Sequence, residues 1–175
     1  ANDKIVMSKY AGLEGSAIIS LDLKEEVEKF LTKEEISKTS KLIKDTSVIK
    51  EGLIAKNLNV SLLHDATEGG ILGGVWEMAE NSGLGAIIDI DKILILDETK
   101  KIAKHFNINP YKLISSGVML FITDNDEKLI EELNKQNIPS STIGYLTKEK
   151  EIYILKNGVK EILSPPSQDE LYKVI

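Results

Sequence analysis

The sequence contains no cysteine among its 175 residues. Disulfides, thiolate nucleophiles and cysteine-ligated metal sites are therefore excluded, and a reducing compartment is compatible with the composition. No apolar run approaches the roughly 18 to 20 residues that a membrane-spanning helix needs, and no charged-then-apolar leader opens the chain. We therefore expect a cytoplasmic protein without a membrane partner.

Basic residues are also in the minority, with 22 Lys and Arg against 28 Asp and Glu, a formal net charge of -6. Because the basic residues are scattered and form no stripe, nucleic acid is not expected as a partner. The 42% of hydrophobic residues and 29% of charged residues are typical of a folded globular chain, and the length fits one domain. The chain opens at Ala1 with strand-like residues close behind, so we expect a domain cut from a longer protein.

The pattern in the first third of the sequence predicts a strand followed by helices. Ile5 to Lys9 is β-prone, and Gly12 and Gly15 then permit a tight turn. Apolar residues recur at helical spacing from Ser16 to Leu58, which predicts two or three helices, and Thr32 with Glu35 forms a capping box.

The rest of the chain alternates between strands and helices. Val60 to His64 and Gly117 to Thr123 are predicted strands, the second buried on both faces. Asn157-Gly158 is a hairpin signal between two short strands. These alternations predict an α/β fold with a mixed central β-sheet flanked by helices, and no Gly-x-Gly-x-x-Gly argues for a Rossmann sheet. After Pro165-Pro166, the tail from Ser167 either packs or is loose.

The segment His64-Asp65-Ala66-Thr67-Glu68-Gly69-Gly70 has the order of an anion-binding loop. Free backbone N–H groups at a helix start attract phosphate, the glycines let a ligand approach closely, and Asp65 can hold a metal ion or a sugar hydroxyl. The alternative is local: Asp65 or Thr67 caps the following helix, and the glycines only make the turn. Spacing alone leaves both open.

Three segments resemble, in order, parts of the superfamily of HypE, aminoimidazole-ribonucleotide (AIR) synthetase, selenophosphate synthetase and thiamine-monophosphate kinase. Leu63–Gly73 is similar to the Asp-x-Thr-x-Gly-Gly loop of that superfamily. Lys9–Ala17 is similar to the strand, turn and helix that open the C-terminal domain of HypE-like proteins, and Ile114–Leu120 to their later Ser-Gly strand entry. The resemblance covers nearly the whole chain and is closest to AIR-synthase-related proteins of the HypE branch.

This resemblance implies that residues 1–175 form one C-terminal domain, similar in fold to that of AIR synthetase, and that an N-terminal domain is absent from this chain. That domain would supply most ligands of ATP and Mg²⁺ and build a homodimer. No cofactor is then expected to bind tightly to this chain. The implied function is the substrate side of an ATP-dependent enzyme related to hydrogenase maturation, acting on a small molecule by phosphoryl transfer and not expected to be active as this fragment. The alternative is a non-catalytic binding, regulatory or scaffold protein that keeps the fold.

The resemblance also implies site residues. Asp65, Thr67, Glu68, Gly69 and Gly70 would line the cleft that faces the nucleotide phosphates or the second substrate. Its neighbouring wall would include three residues of the opening turn and three of the later strand entry: Gly12, Glu14, Gly15, Ser115, Ser116 and Gly117. Plain turn, capping or strand-start roles remain open for these six residues, and the metal ligands stay unassigned.

Two departures limit which family activity is expected. HypE activates a carbamoyl group on a C-terminal cysteine, whereas this sequence ends Tyr172-Lys173-Val174-Ile175, so we do not expect that dehydration to run on this chain. The loop also lacks the Gly-Phe-Gly that follows it in selenophosphate synthetases.

The two histidines complete the candidates. His64 precedes the loop on a buried-looking strand, where it serves as a general base or, in the interpretation we favour, as a satisfied core group. His105 lies late in a helix, where an imidazole meets the helix C-terminus, so we expect capping there.

Overall fold

The computed structural model describes residues 2–175, and its centre is one sheet of seven strands in the order β2-β4-β1-β5-β3-β6-β7. The strands are β1 Lys4–Ser8, β2 Val60–Asp65, β3 Gly85–Asp89, β4 Met119–Thr123, β5 Ser140–Thr147, β6 Ile152–Lys156 and β7 Val159–Ile162. The helices are α1 Leu13–Asp22, α2 Lys24–Val27, α3 Lys33–Lys41, α4 Ile49–Ala55, α5 Gly70–Ser82, α6 Asp97–Phe106 and α7 Asp126–Lys135. Short 3₁₀ turns cover Leu42–Asp45, Ile90–Lys92, Pro110–Lys112 and Glu170–Lys173.

Strand directions decide which loops meet. β4 is antiparallel to both β1 and β2, β5 is antiparallel to both β1 and β3, and β3 is parallel to β6. The strands β1, β2 and β3 therefore run the same way, and their carboxyl ends lie at one edge of the sheet. The register pairs Asp65 with Met119 and Ser8 with Ser140, which brings the starts of β4 and β5 to that same edge.

Helices cover both faces of the sheet because successive strand residues point to opposite sides. Ile5 and Met7 of β1 pack with α5 and the start of α1, whereas Val6 between them packs with α4 and α7. A third apolar cluster joins α1, α3 and α6, with Ile19 and Ile102 at its centre. No helix within residues 2–175 is both long and apolar enough to cross a membrane.

The predicted α/β fold with a mixed, helix-flanked sheet is confirmed. Every residue of β4 is buried, as its unbroken apolar run predicted. The hairpin at Asn157-Gly158 joins β6 to antiparallel β7. Thr32 accepts the backbone N–H of Glu35 while the Glu35 side chain accepts that of Thr32, so the capping box is also confirmed.

Three local expectations were wrong. The region before Leu58 holds four α-helices instead of two or three, because reversals near Leu23 and Leu31 occur in a stretch without glycine or proline to signal them. Gly15 lies inside α1 and not in the turn. His105 does not cap α6: its Nε2 lies 2.9 Å from Glu26 Oε1 and its ring stacks on a phenylalanine ring.

The tail is packed and not loose. Asp169, Glu170 and Leu171 are buried, and Leu171 joins the cluster between α1, α3 and α6.

Candidate functional site

Asp65 is the last residue of β2 and lies where the carboxyl ends of β1 and β2 meet the start of β4. Its Oδ1 is buried and has no hydrogen-bond partner within residues 2–175. Burial raises the pKa of this carboxyl, although the Gly117 backbone N–H and the nearby His64 and Lys9 oppose the rise. A polar atom that is withheld from water without a partner is costly. Such an atom is a candidate ligand contact.

Glu14 contributes a second carboxylate near Asp65. It lies in the first turn of α1, and its charge adds to the rise in the Asp65 pKa. Glu14 Oε2 is likewise buried and without a hydrogen-bond partner in the described part of the chain. Two carboxylates from different elements therefore each present an unused oxygen at this edge of the sheet. Carboxylate oxygens of this kind bind a cation or accept hydrogen bonds from a hydroxyl or amine.

Lys9 follows β1 at the same edge but is occupied internally. Its Nζ donates to the carbonyl oxygens of Asp45 and Ser47 at 3.0 and 2.7 Å. It also lies 2.9 Å from Oε1 of Glu51, whose side chain is only 1% exposed. That contact is an ion pair without hydrogen-bond geometry, because Glu51 Oε1 has no hydrogen bond among the residues described. Lys9 therefore ties the start of α4 to the end of β1.

The two glycines before α5 are buried and contact the main chain of another segment. Gly69 and Gly70 have φ values of 79° and 61°, and a Cβ on Gly70 would lie 2.6 Å from the carbonyl oxygen of Leu113. The Gly69 N–H donates to Asp169 Oδ2 at 2.7 Å, and the Gly70 N–H donates to the carbonyl oxygen of Thr67 at 3.1 Å. In this conformation neither amide is available to a phosphate.

The side-chain cap considered as an alternative is also absent from the loop itself. The N-cap position of α5 is Gly69, so neither Asp65 nor Thr67 caps the helix with its side chain. Thr67 and Glu68 are exposed instead, and Thr67 contributes its backbone, accepting the N–H of Ser115 at 3.3 Å. The two exposed side chains lie beside Asp65 along the chain and face solvent.

Ser115 joins three segments of the edge. Its buried Oγ accepts the Gly12 N–H at 2.7 Å and donates to the Leu113 carbonyl oxygen at 2.8 Å. Gly15 packs against the same segment, with its N–H donating to the Ile114 carbonyl oxygen at 3.0 Å. The sequence-predicted residues of the opening turn and of the later Ser-Gly entry are therefore in direct contact.

The neighbouring residues Ser116 and Gly117 complete the entry to β4. Ser116 is half-buried, and Gly117 has φ 100°. A Cβ on Gly117 would lie 2.4 Å from the carbonyl oxygen of Asp45. Gly117 thus allows the loop before α4 to pack closely, and its backbone N–H lowers the pKa of the Asp65 carboxyl.

His64 does not join the two carboxylates. Its Nε2 lies 2.8 Å from Glu77 Oε2 of α5, and both side chains are partly exposed. β2 is an edge strand with alternating exposure, so the expectation of a buried core histidine was wrong. The hydrogen bond with Glu77 gives His64 a surface role between β2 and α5.

No group of three or more His, Cys, Asp or Glu within residues 2–175 is arranged to hold a metal ion. Asp65 and Glu14 by themselves would supply only part of a coordination shell. Mg²⁺ is commonly bound by one or two protein carboxylates together with substrate phosphates and water. The donor set fits a shared site of that kind.

A family model described as "AIR synthase related protein, C-terminal domain" matches residues 1–156. The chain belongs to this family. The match contains the opening turn, the loop before α5 and the Ser-Gly entry to β4, which are the three segments that resembled the superfamily.

One curated relative and several solved structures are similar to this AIR synthase related domain. A curated relative in Methanocaldococcus jannaschii, named "Putative hydrogenase expression/formation protein MJ0676", is 31% identical over 98% of this chain and 50% of its own length. The crystal structure of Escherichia coli HypE matches all of this chain and 53% of its own with a TM-score of 0.81 at 20% identity. A HypE structure in complex with ATP matches 97% of this chain and 52% of its own with a TM-score of 0.70 at 16% identity.

These matches fix the family and the fold. The chain spans about half the length of the relatives it matches. At identities of 20% and below, the solved structures establish the shared fold of the AIR synthase related domain.

Sequence inspection missed two residues that shape this edge. Asp169 lies in the tail, about a hundred residues from the Gly69 N–H that it accepts, and no local pattern signals such a contact. Glu51 lies on the exposed-looking helix α4. A basic residue directly after a buried strand, here Lys9, is the one signal that would have suggested a buried acidic partner.

Proposed function

We propose that this AIR synthase related domain is the substrate-side half of an ATP-dependent enzyme that activates a small, oxygen-bearing substrate by phosphoryl transfer. ATP and Mg²⁺ are held mainly by an upstream domain, and the full-length protein is a homodimer. The observation that carries the proposal is the pair of buried carboxylate oxygens of Asp65 and Glu14, which have no partners within residues 2–175.

The carboxylates support this division of labour because they are too few to bind a metal ion alone. Each has one unused oxygen at the edge formed by β1, β2 and β4. Phosphoryl transfer depends mostly on positioning and charge neutralisation, so its ligands can come from two domains. When bound, Mg²⁺ would neutralise charge on the phosphates, while Asp65 and Glu14 would orient it or the substrate hydroxyl from this side.

Space for a substrate lies beside the same edge. A cleft is lined by Lys9, Tyr10, Lys44, Asn137 and Pro139, among other residues. Neither Glu14 nor Asp65 lines this cleft, but Lys9 and Tyr10 connect it to Glu14 along the chain. We assign the small-molecule substrate to this side of the domain.

The setting that we propose is hydrogenase maturation. It rests on the name of the 31% identical relative and on the fold shared with HypE. The HypE complex with ATP supports nucleotide use by the full-length protein. In this setting the carboxylates face a nucleotide that is bound across the domain boundary.

A binding or scaffold function is the second candidate. It is favoured by the internal hydrogen bonds of the Gly69 and Gly70 amides, which leave the expected phosphate donors engaged. In that case the domain would keep the fold and its interdomain contacts without contributing to turnover. Asp65 discriminates between the two candidates, because only the first requires its carboxylate.

The test is a calorimetric titration with MgATP of the 175-residue chain and of the chain extended upstream through its N-terminal domain. We expect binding by the extended chain alone. Asp65→Asn in that extended chain should weaken binding about tenfold, the scale of a lost charge-assisted contact. Asp124→Asn is the matched control, because Asp124 is exposed, follows β4 at the opposite edge and bonds to Asn59.

Comparable binding by both chains would mean that this domain holds its own nucleotide site, and the division of labour would be wrong. Unchanged binding and turnover in Asp65→Asn would instead favour the scaffold. Gly70→Val is unsuitable as a probe of the ligand, because a Cβ at that position meets the Leu113 backbone.

A further inference from the structure

The C-terminal strap, residues 164–173, crosses the loops that carry the candidate site. Its central residue Asp169 is 2% exposed although the five residues before it are exposed. Asp169 Oδ2 accepts the Gly69 N–H at 2.7 Å. Asp169 Oδ1 accepts the N–H groups of Ile114 and Leu171 at 3.2 and 2.8 Å. One buried carboxylate therefore holds three backbone amides from three separate segments.

The first of these segments is the turn before α5, which has no cap of its own. Gly69 is the N-cap residue and brings no side chain, so the amide at the start of this 13-residue helix needs an acceptor from elsewhere. Asp169 supplies both that acceptor and a negative charge at the positive end of the helix. The side chain of Pro166 lies within 4 Å of where a Cβ would stand on Gly69, so the strap also covers the turn.

The second segment, which contains Ile114 and Ser115, contacts the start of α1. Ile114 accepts the Gly15 N–H through its carbonyl oxygen, and Ser115 next to it accepts the Gly12 N–H. Both bonds fix the start of α1, where Glu14 lies. Asp65 is four residues before Gly69 on the other side. Asp169 is thus connected through short backbone paths to both unpartnered carboxylates.

The strap is itself anchored on each side of Asp169. Leu171 packs into the cluster between α1, α3 and α6. Glu170 accepts the Asn109 N–H at 3.0 Å and pairs with Lys173 at 2.7 Å. These contacts do not involve the loop before α5, whereas Asp169 accepts a hydrogen bond from that loop and Pro166 lies against it.

We propose that Asp169 is a positioning residue for the candidate site: its carboxylate joins the turn before α5 to the segment before β4 and so fixes where Asp65 and Glu14 lie. The ligand that Asp65 and Glu14 would contact depends on the proposed function, but the positioning role of Asp169 does not. A further consequence is that a phosphate cannot take the Gly69 amide while the strap is in place.

The experiment compares Asp169→Asn with Glu170→Gln in the ligand-free 175-residue chain. Asn keeps the size of Asp169 but replaces one of its two acceptor oxygens with an N–H₂ group, so the backbone N–H groups on that side lose their acceptor. Glu170→Gln alters the strap without touching the loop. We measure amide exchange by NMR and expect the Gly69 and Ile114 amides to exchange about tenfold faster in Asp169→Asn only.

The side-chain NMR chemical shifts of Asp65 and Glu14 are the second measurement, because a uniform loss of stability leaves the shifts of the folded state unchanged. A loosened turn before α5 should move both carboxyl carbon resonances in Asp169→Asn. Glu170→Gln removes a neighbouring charge and should leave these resonances in place. Unchanged exchange and chemical shifts in folded Asp169→Asn would overturn the inference.

Wild-type protein supplies an independent test if Asp169→Asn does not fold. Under low denaturant, the amides of Gly69, Ile114 and Leu171 should open in one common event, because they share one acceptor side chain. Release of Leu171 while Gly69 stays protected would overturn the proposal. These outcomes are separate from the nucleotide titration, so the proposed function can fail while the positioning role holds, or the reverse.

Discussion

The turn between β6 and β7 and the turn before α5 both use glycine at positive φ, for different reasons. In the hairpin, Asn157 and Gly158 have φ values of 50° and 77°, and nothing lies within 4 Å of where a Cβ on Gly158 would stand. Before α5, Gly70 has φ 61°, and a Cβ would lie 2.6 and 2.8 Å from the carbonyl oxygens of Leu113 and Tyr111.

The hairpin turn is a local device, since two residues at positive φ match the twist of the strands they join. The turn before α5 also needs space for a distant backbone segment. Glycine at the second turn was expected to admit a ligand, yet in this conformation it admits the chain itself. A glycine-rich turn at a candidate site can therefore be required by tertiary packing and not by a ligand.

The largest expected effect separates the two glycines directly. Gly70→Ala should destabilise the protein by at least about 3 kcal/mol, because it combines a left-handed backbone with a clash against main-chain oxygens. Gly158→Ala should cost only about 1 kcal/mol, the backbone term alone. Urea unfolding of both variants checks this, and equal losses would contradict the distinction between the two turns.

A pair of lysines extends the comparison to side chains. Lys9→Met should cost about 3 kcal/mol, because it leaves Glu51 buried without its ion-pair partner. Lys160→Met in β7 should cost about 0.5 kcal/mol, since that exposed ammonium only lies 3.7 Å from the centre of the Tyr153 ring. The free energy of unfolding of each variant is the measurement that checks this. The double variant Lys9→Met with Glu51→Gln should recover part of the first loss, and a failure to recover would argue against the buried charge as its cause.

The smallest expected change is a gain in stability. Asp65→Asn should stabilise the ligand-free chain by less than about 1 kcal/mol at neutral pH, because it removes a partly buried charge that solvent still screens. The pKa of Asp65 is raised in the folded state, so the folded protein binds this proton more tightly than the unfolded chain. The contribution of Asp65 to stability therefore falls as pH rises from its unfolded pKa through its folded pKa.

Unfolding of wild type, Asp65→Asn and Asp124→Asn between pH 4 and 7 tests this sign. The gain from Asp65→Asn should grow with pH over this range, whereas Asp124→Asn should show no such trend. A gain that shrinks with rising pH would mean that the Asp65 carboxylate is stabilised in the folded chain, contrary to its burial.

The parts of the fold that depend on short-range patterns could be predicted. The unbroken apolar run of β4, the hairpin at Asn157-Gly158 and the Thr32 capping box each depend on neighbouring residues and were found as expected. The helix breaks before Leu58 were missed because packing of α1 against α3, and not a glycine or proline, sets them. His64 is a surface residue because β2 lies at the edge of the sheet, and only the strand order determines this position.

The sequence predicted which residues to consider for the candidate site, and it predicted their spatial arrangement only in part. The motif order led to Asp65, Glu14, Gly12 and Ser115, and the structure brings their segments together. Their use by a ligand stays a prediction. The position of Lys9 after a buried strand suggests a buried acidic partner, but the sequence does not identify Glu51 as that partner or Asp169 as the acceptor of the Gly69 N–H, because both contacts join distant segments.

The sequence by itself determined the family, the alternation of strands and helices and the residues that carry the Asp-x-Thr-x-Gly-Gly loop, because local periodicity and motif order are written in consecutive residues. Tertiary structure alone decided that the glycine amides of that loop are engaged, and that Asp65 and Glu14 each have one oxygen without a partner among residues 2–175. The physical reason is that a buried polar group forms a hydrogen bond only if a distant segment of the chain packs against it. The strand order and the path of the strap determine which segment that is.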